Sequence, residues 1–260
     1  MLDAMYIGAA GMQAQQTNVE VISNNLANVN TASFKKGKVS FEDLLYRDSL
    51  RPVSSGIAGA QATGRVGLGV AVASTGKVFT DGELKQSESP LDVAIRGRGF
   101  FEVVMPDGSA AYTRAGNFQV NADGFLSTAD GYLLRPSIQI PADATNVVID
   151  TTGKVSVSLP GEKTRTDVGQ IEMAVFANPG GLTALGGNLY TTSERSGDPA
   201  IGHGGDQGFG TLSQGFTEAS NVKLVDEMIS LVVAQRAYEV NAKVIQAADE
   251  MLGMSNNLRR

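Results

Sequence analysis

Apolar side chains recur at alternating steps of three and four at both ends of the chain and at steps of two through its middle. Leu2, Met5, Ala9, Met12, Gln16, Val19, Ser23 and Leu26 form the first stripe, broken only by Gln16 and Ser23. Near the other end Leu224, Met228, Leu231, Gln235, Tyr238, Ala242, Ile245, Asp249 and Leu252 keep the same rhythm, and Val233, Ala237, Val240, Val244, Ala247 and Met251 run beside them. Both patterns predict amphipathic helices with a wide apolar face. Residues 216–252 contain no Gly or Pro, Ser220 or Asn221 offers an N-cap, and Gly253 stands where a left-handed C-terminal residue is expected. At a rise of about 1.5 Å per residue, residues 221–252 would span roughly 48 Å. The period of about 3.5 residues suits a left-handed pairing of the two ends as a coiled coil. The same pattern also fits two helices lying on the core of one globular domain. Gln16 and Gln235 interrupt their stripes either as register-fixing seam residues or as residues facing water.

Between the helices the periodicity changes. Residues 31–76 turn polar and Gly-rich after Phe41, Leu44 and Leu45, which resemble a helical turn or a docking segment. Residues 52–69, with Pro52, Gly56, Gly59, Gly64, Gly67 and Gly69, read as an extended arm or a disordered linker. From 77 to 202 the punctuation is that of strands and turns. Asp107-Gly108, Asp123-Gly124 and Asp130-Gly131 supply the positive φ of tight hairpins. They separate short runs at 100–105, 117–120 and 132–134, and further strands are expected at 147–149, 155–159 and 169–176. An antiparallel meander forming a sandwich or open barrel follows. A second Gly-rich stretch at 202–210 leads back toward the final helix.

The predicted fold is therefore α+β: long N- and C-terminal helices, extended arms and a central antiparallel β-domain. The boundaries expected are 1–30 for the first helix and 31–76 for the arm and linker. The β-domain would span 77–202, a return arm 203–219 and the last helix 220–260.

Charge narrows the partners. A net charge of −6 and the lack of any basic run flanked by aromatics argue against nucleic acid. Lys35, Lys36 and Lys38 read as a solvated turn after the first helix. The first 34 residues contain no Lys or Arg, so they do not look like a signal peptide. The longest apolar run, 173–177, is far below the roughly 20 residues that a membrane helix needs. Without cysteine there is no disulfide, thiol nucleophile or zinc-thiolate site.

Candidate chemistry is sparse. His203, the only histidine, lies in a loop near Asp206, but no nucleophile elbow or second titratable partner accompanies it. No calcium-loop pattern occurs, and Gly97-Arg98-Gly99 and Gly67-Leu68-Gly69 do not extend to a dinucleotide fingerprint. No catalytic, cofactor or metal residue is expected.

The stretch from Asn24 through Asn25, Leu26, Ala27, Asn28, Val29, Asn30 and Thr31, closing at Phe34-Lys35, resembles the N-terminal signature of bacterial flagellar rod and hook proteins, the axial family. Glu227-Met228, residues 234–239 from Ala234 through Arg236 to Glu239, Asn241, and Asp249 to Leu252 resemble its C-terminal signature. Between them the segments at 41–46, 92–95, 99–101, 106–108, 111–114 and 220–222 resemble the distal-rod member. The family usually carries Gly just before the signature Phe, where a positive φ is permitted; here the residue is Ser33.

The resemblance implies a structural subunit of the distal rod rather than an enzyme. It would polymerise into a helical tube that transmits motor torque through the envelope to the hook. Its partners would be copies of itself, proximal-rod subunits, hook subunits, the rod cap during assembly, and the P-ring and L-ring proteins as a bushing. Export through the flagellar apparatus without a cleaved signal peptide, and a rod lying in the periplasm, are also implied. A proximal-rod or hook subunit is the alternative within the family. An exported adhesin or ligand-binding β-domain protein is the alternative outside it. The assembly interface is expected on Leu2, Met5, Met12, Gln16, Val19 and Leu26, on the motif residues Asn28, Asn30, Thr31 and Phe34, and on Leu224, Met228, Leu231, Gln235, Arg236, Tyr238, Ile245 and Leu252.

Overall fold

The computed structural model describes residues 2–44, 46–50, 63–161 and 164–257. They fall into two units, a helical one within 1–27, 37–76 and 223–260, and a β-rich one within 28–36 and 77–222.

The helical unit is built on α1, Leu2–Ala27, and α2, Leu224–Asn257. Gly8 lies beside Ile245, Gly11 against Asn241, and the Asn25 side-chain amide donates to Glu227 Oε2 at 3.1 Å. Positions rise along α1 as they fall along α2, so the helices run antiparallel. Among the described residues of α1, Gly8, Gly11, Ala14, Ile22 and Asn25 are buried. That seam sits one residue ahead of the stripe expected from hydrophobicity, a rotation of about 100°. Met5, Met12, Val19 and Leu26 therefore flank it half-buried, while Ala9, Gln16 and Ser23 are exposed. The cause is steric: missing side chains let the helices approach, and a count of apolar residues overlooks glycine. A Cβ on Gly8 would meet Ile245 Cγ1 at 2.9 Å. Gly8→Leu is expected to destabilise the helical unit by about 1–3 kcal/mol through overpacking, despite a helix-propensity gain of about 1 kcal/mol. Urea unfolding followed by far-UV circular dichroism measures this.

Both ends expected for α2 shift. Helix begins at Leu224, with Glu227 N–H donating to Lys223 O. Neither expected cap serves it. Asn221 accepts from Lys36 N–H and donates to Val78 O and Thr80 O, and the Ser220 hydroxyl accepts from Val222 N–H. At the far end Gly253 stays helical and the helix runs to Asn257. A glycine costs only about 1 kcal/mol inside a helix, so it does not by itself stop one.

Gly37–Asp43, expected to contain a helical turn or docking segment around Phe41 and Leu44, forms a strand paired with Val70–Lys77. Val39 is buried between exposed Lys38 and Ser40, a period of two that opposes helix. The Asn25 side chain brackets the start of this strand, donating to Gly37 O at 2.9 Å and accepting from Gly37 N–H at 2.7 Å. Of the expected arm at 52–69, residues 63–67 form a strand paired with Tyr46–Leu50; Leu45 and 51–62 lie outside the described residues.

In the β-rich unit the three Asp-Gly turns form as expected, with φ of 82°, 84° and 87° at Gly108, Gly124 and Gly131. They join Phe100–Val104 to Ala110–Thr113, Phe118–Val120 to Leu126–Thr128, and Leu126–Thr128 to Leu133–Arg135, all antiparallel. Among the described residues these strands belong to one nine-stranded sheet. Alternation gives it two buried faces. Phe101, Val103, Ala111, Met173 and Leu189 enter the larger core, shared with Ile149, Val155 and Val157 of a three-stranded sheet. Phe100, Tyr112, Ala174 and Tyr190 enter a smaller aromatic core with Phe176. The strand expected at 169–176 is two strands, Thr166–Gln170 in the three-stranded sheet and Met173–Val175 in the larger one. The chain changes sheets at fully buried Ile171, whose N–H donates to Gly153 O.

Candidate assembly surface

Two features stand out as sites: a buried charge cluster in the β-rich unit and an exposed apolar face on α2. The first is structural. Glu218, 1% exposed, accepts from Lys35 Nζ at 2.6 Å, Arg114 Nε at 3.0 Å and Gly82 N–H at 2.8 Å. Lys35, expected as a solvated turn residue, is fully buried and also donates to Thr80 O. The Arg114 guanidinium further donates to Gly97 O, Gly99 O and Asp81 Oδ1. Burial pushes the Lys35 amine down, as does neighbouring Arg114, against the pull of Glu218. Burial alone would raise the Glu218 carboxyl, but Arg114 and then Lys35 hold it below the ordinary carboxylate range. Burial, with the Glu218 charge, pushes the Tyr190 phenol up to about 12. Gly82 is required here because a Cβ would stand 2.0 Å from Ala219 O.

Ser33 keeps the geometry a glycine would permit, with φ of 59°. Its N–H donates to Glu218 O at 2.8 Å and its hydroxyl to Arg114 O at 3.0 Å. Those two bonds hold a non-glycine residue in the left-handed region. Ser33→Val puts a β-branched side chain there and removes the hydroxyl bond. A loss of about 2–3 kcal/mol is expected in thermal or urea unfolding. Phe34 beside it is buried under Lys77, whose Nζ lies 4.1 Å from the ring centroid, so it serves this unit's interior rather than a surface. The Asn28, Asn30 and Thr31 turn is half-buried to exposed, with the Thr31 hydroxyl donating to Asn28 Oδ1. His203 Nδ1 and Asp206 Oδ2 are 3.6 Å apart on an exposed loop.

α2 is the surface feature. Leu224, Val225, Met228, Ile229 and Val232 are exposed around its first turns, Val225 by 66%. Further along, Val233, Val240, Val244, Met251 and Met254 continue at helical spacing, with Val240 58% and Val244 43% exposed. Gln235, Glu239, Lys243, Gln246 and Glu250 line another exposed face, so this part of the helix is apolar on one exposed side and polar on another. Of the expected interface residues, Leu224, Met228, Gln235, Arg236 and Tyr238 are exposed, with Arg236 paired to Glu239 at 2.8 Å. Leu231, Ile245 and Leu252 are half-buried, Ile245 against Gly8. The side chain of Leu2 lies outside the described residues. Gln16 is exposed and donates to Glu20; the polar seam residues are Asn25, Glu227 and Asn241 instead. Among the described residues no group of His, Cys, Asp or Glu is arranged to hold a metal ion, and no helix is long and apolar enough to cross a membrane.

The exposed apolar side chains of α2 run from Leu224 to Met254, the length of the helix. Three family descriptions match the chain along its length. Residues 5–35 match the flagella basal body rod protein family, 94–157 the flagellar hook protein FlgE/F/G D1 domain, and 213–258 the flagellar basal body rod FlgEFG protein C-terminal family. The chain belongs to the flagellar basal-body rod and hook protein family. It is 46% identical to flagellar basal-body rod protein FlgG of Caulobacter vibrioides over 99% of this chain and 100% of that one. To FlgG of Borreliella burgdorferi it is 42% identical, with 100% of both chains covered. The flagellar hook protein FlgE of Helicobacter pylori is 37% identical over 68% of this chain but only 25% of its own length.

Proposed function

We propose that this protein is the structural subunit of the flagellar distal rod, polymerising into a helical tube that carries motor torque to the hook. End-to-end similarity to rod proteins supports this over a hook role, since the hook relative is matched over a quarter of its length. The exposed apolar face of α2 is the observation that carries the mechanism, because side chains such as Val225 and Val240 have no reason to be in water unless another chain covers them. In the assembly α1 and α2 act as a coiled-coil pair, the helical part lying within 1–30 and 220–260, and the residues around 77–202 form a separate β-domain. The docking residues are Met5, Met12, Val19, Leu26, Leu224, Met228 and Tyr238 from the expected set, joined by Val233, Val240, Val244 and Met251. Packed helices spread torsional load over many contacts, and burying each such side chain contributes about 1.5–3 kcal/mol.

The protein is not an enzyme in this reading. Its neighbours are further copies, proximal-rod and hook subunits, the rod cap during assembly, and the P and L rings around it. It reaches the periplasmic part of the basal body through the flagellar export apparatus. Removing the gene should leave basal bodies that lack the distal rod and everything beyond it, and restoring it should rebuild them. Intact flagella in the deletion strain, seen by electron microscopy, would exclude the proposal.

A further inference from the structure

We propose that residues 211–222 are the closing segment of the β-rich unit, so that the unit's first and last parts lock together only after its central sheet has formed. Among the described residues Leu84–Gln86 has one ladder partner, Phe216–Glu218, and Val93–Arg96 has one, Thr211–Gln214. Further bonds join the same two ends. Ser33 N–H donates to Glu218 O, Lys36 N–H to Asn221 Oδ1, Ser87 N–H to Gly215 O, and Ala219 N–H to Glu83 O. The Gln214 side chain donates to Pro90 O and Val147 O and accepts from Ile149 N–H. Leu212 fills the main core. Lys35 finds its carboxylate 183 positions away at Glu218.

Closing so long a loop has a larger entropic cost than forming the hairpins of the central sheet, whose partners, such as Val104 and Ala110, lie close in sequence. The buried cations add an electrostatic gate. Without Glu218, Lys35 would enter the interior lacking its hydrogen-bonded carboxylate, which disfavours early burial of 33–36. A chain still missing its last fifty residues therefore leaves residues 33–36 without the partners that bury them.

Pulsed hydrogen exchange during refolding of the full-length protein tests this. Amides of Ser33, Lys36, Ser87 and Ala219 should gain protection in one shared phase, at least about tenfold later than those within Phe100–Val104 and Ala110–Thr113. Protection at Ser33 and Ser87 together with or before the central hairpin would overturn the proposal. In native-state exchange, Glu218→Gln should lower protection at Ser33, Ser87 and Ala219 at least about tenfold more than in the central hairpin, since sub-global opening then involves the two ends alone. Equal losses at both places would overturn it. The wild-type kinetics decide the matter even where that variant does not fold.

Discussion

Glu218→Ala is expected to destabilise the β-rich unit by about 3–5 kcal/mol, the range for removing one partner from a buried ion pair. The large value follows from what is left behind. Lys35 and Arg114, 0% and 5% exposed at their side chains, would lose the carboxylate that accepts from both. Arg114 retains Asp81 and backbone carbonyls, whereas Lys35 retains the Thr80 carbonyl. Lys35→Met together with Glu218→Ala should recover part of the loss, because the stranded ammonium is then gone. Urea unfolding of the wild type, the Lys35→Met and Glu218→Ala single variants and the double variant measures the coupling. The same carboxylate makes the unit acid-sensitive. Its folded-state value lies below the ordinary 4.5, so its contribution is fully present above that pH and is lost as pH falls through the depressed folded-state value. Glu218→Gln should flatten this acid limb of the stability curve, and an unchanged limb would count against the cluster's role.

The second large effect concerns assembly rather than folding. Val240→Asp combined with Val244→Asp should weaken self-association at least about a hundredfold, since two buried valines contribute about 3 kcal/mol or more and carboxylates resist desolvation. Monomer stability should change by only about 0.5 kcal/mol, because both side chains already face solvent. Sedimentation of the purified protein, alongside its unfolding curve, separates the two. Lys243→Gln, on the polar face, serves as the control and should assemble normally.

What could be read from the chain follows from how local each determinant is. The helices and the Asp107-Gly108, Asp123-Gly124 and Asp130-Gly131 turns were legible because a few adjacent residues decide them. The α1 seam was displaced by one position because Gly8 and Gly11 contribute by what they lack. Gly253 gave a false stop, since a glycine permits a left-handed cap without imposing one. The switch of sheets at Ile171 depends on partners at Gly153 and Phe101, far along the chain, and a run of alternating residues does not reveal it. Lys35 looked like part of a solvated basic turn for the same reason. Its counter-ion lies at the other end of the β-rich unit. The motif stretches contain Asn25, Glu227 and Lys35, but only the fold displays their contacts: Asn25 brackets Gly37 and donates to Glu227, and Lys35 joins the Glu218 charge cluster.

The lack of cysteine permits a direct test of the assembly surface, because a single introduced thiol reports one position. Val244→Cys should react readily with a water-soluble maleimide in the dilute monomer and become protected in isolated basal bodies, while Lys243→Cys on the polar face gives the comparison. Equal reactivity of the residue-244 thiol in monomer and basal body would contradict the claim that neighbouring chains cover this face of α2.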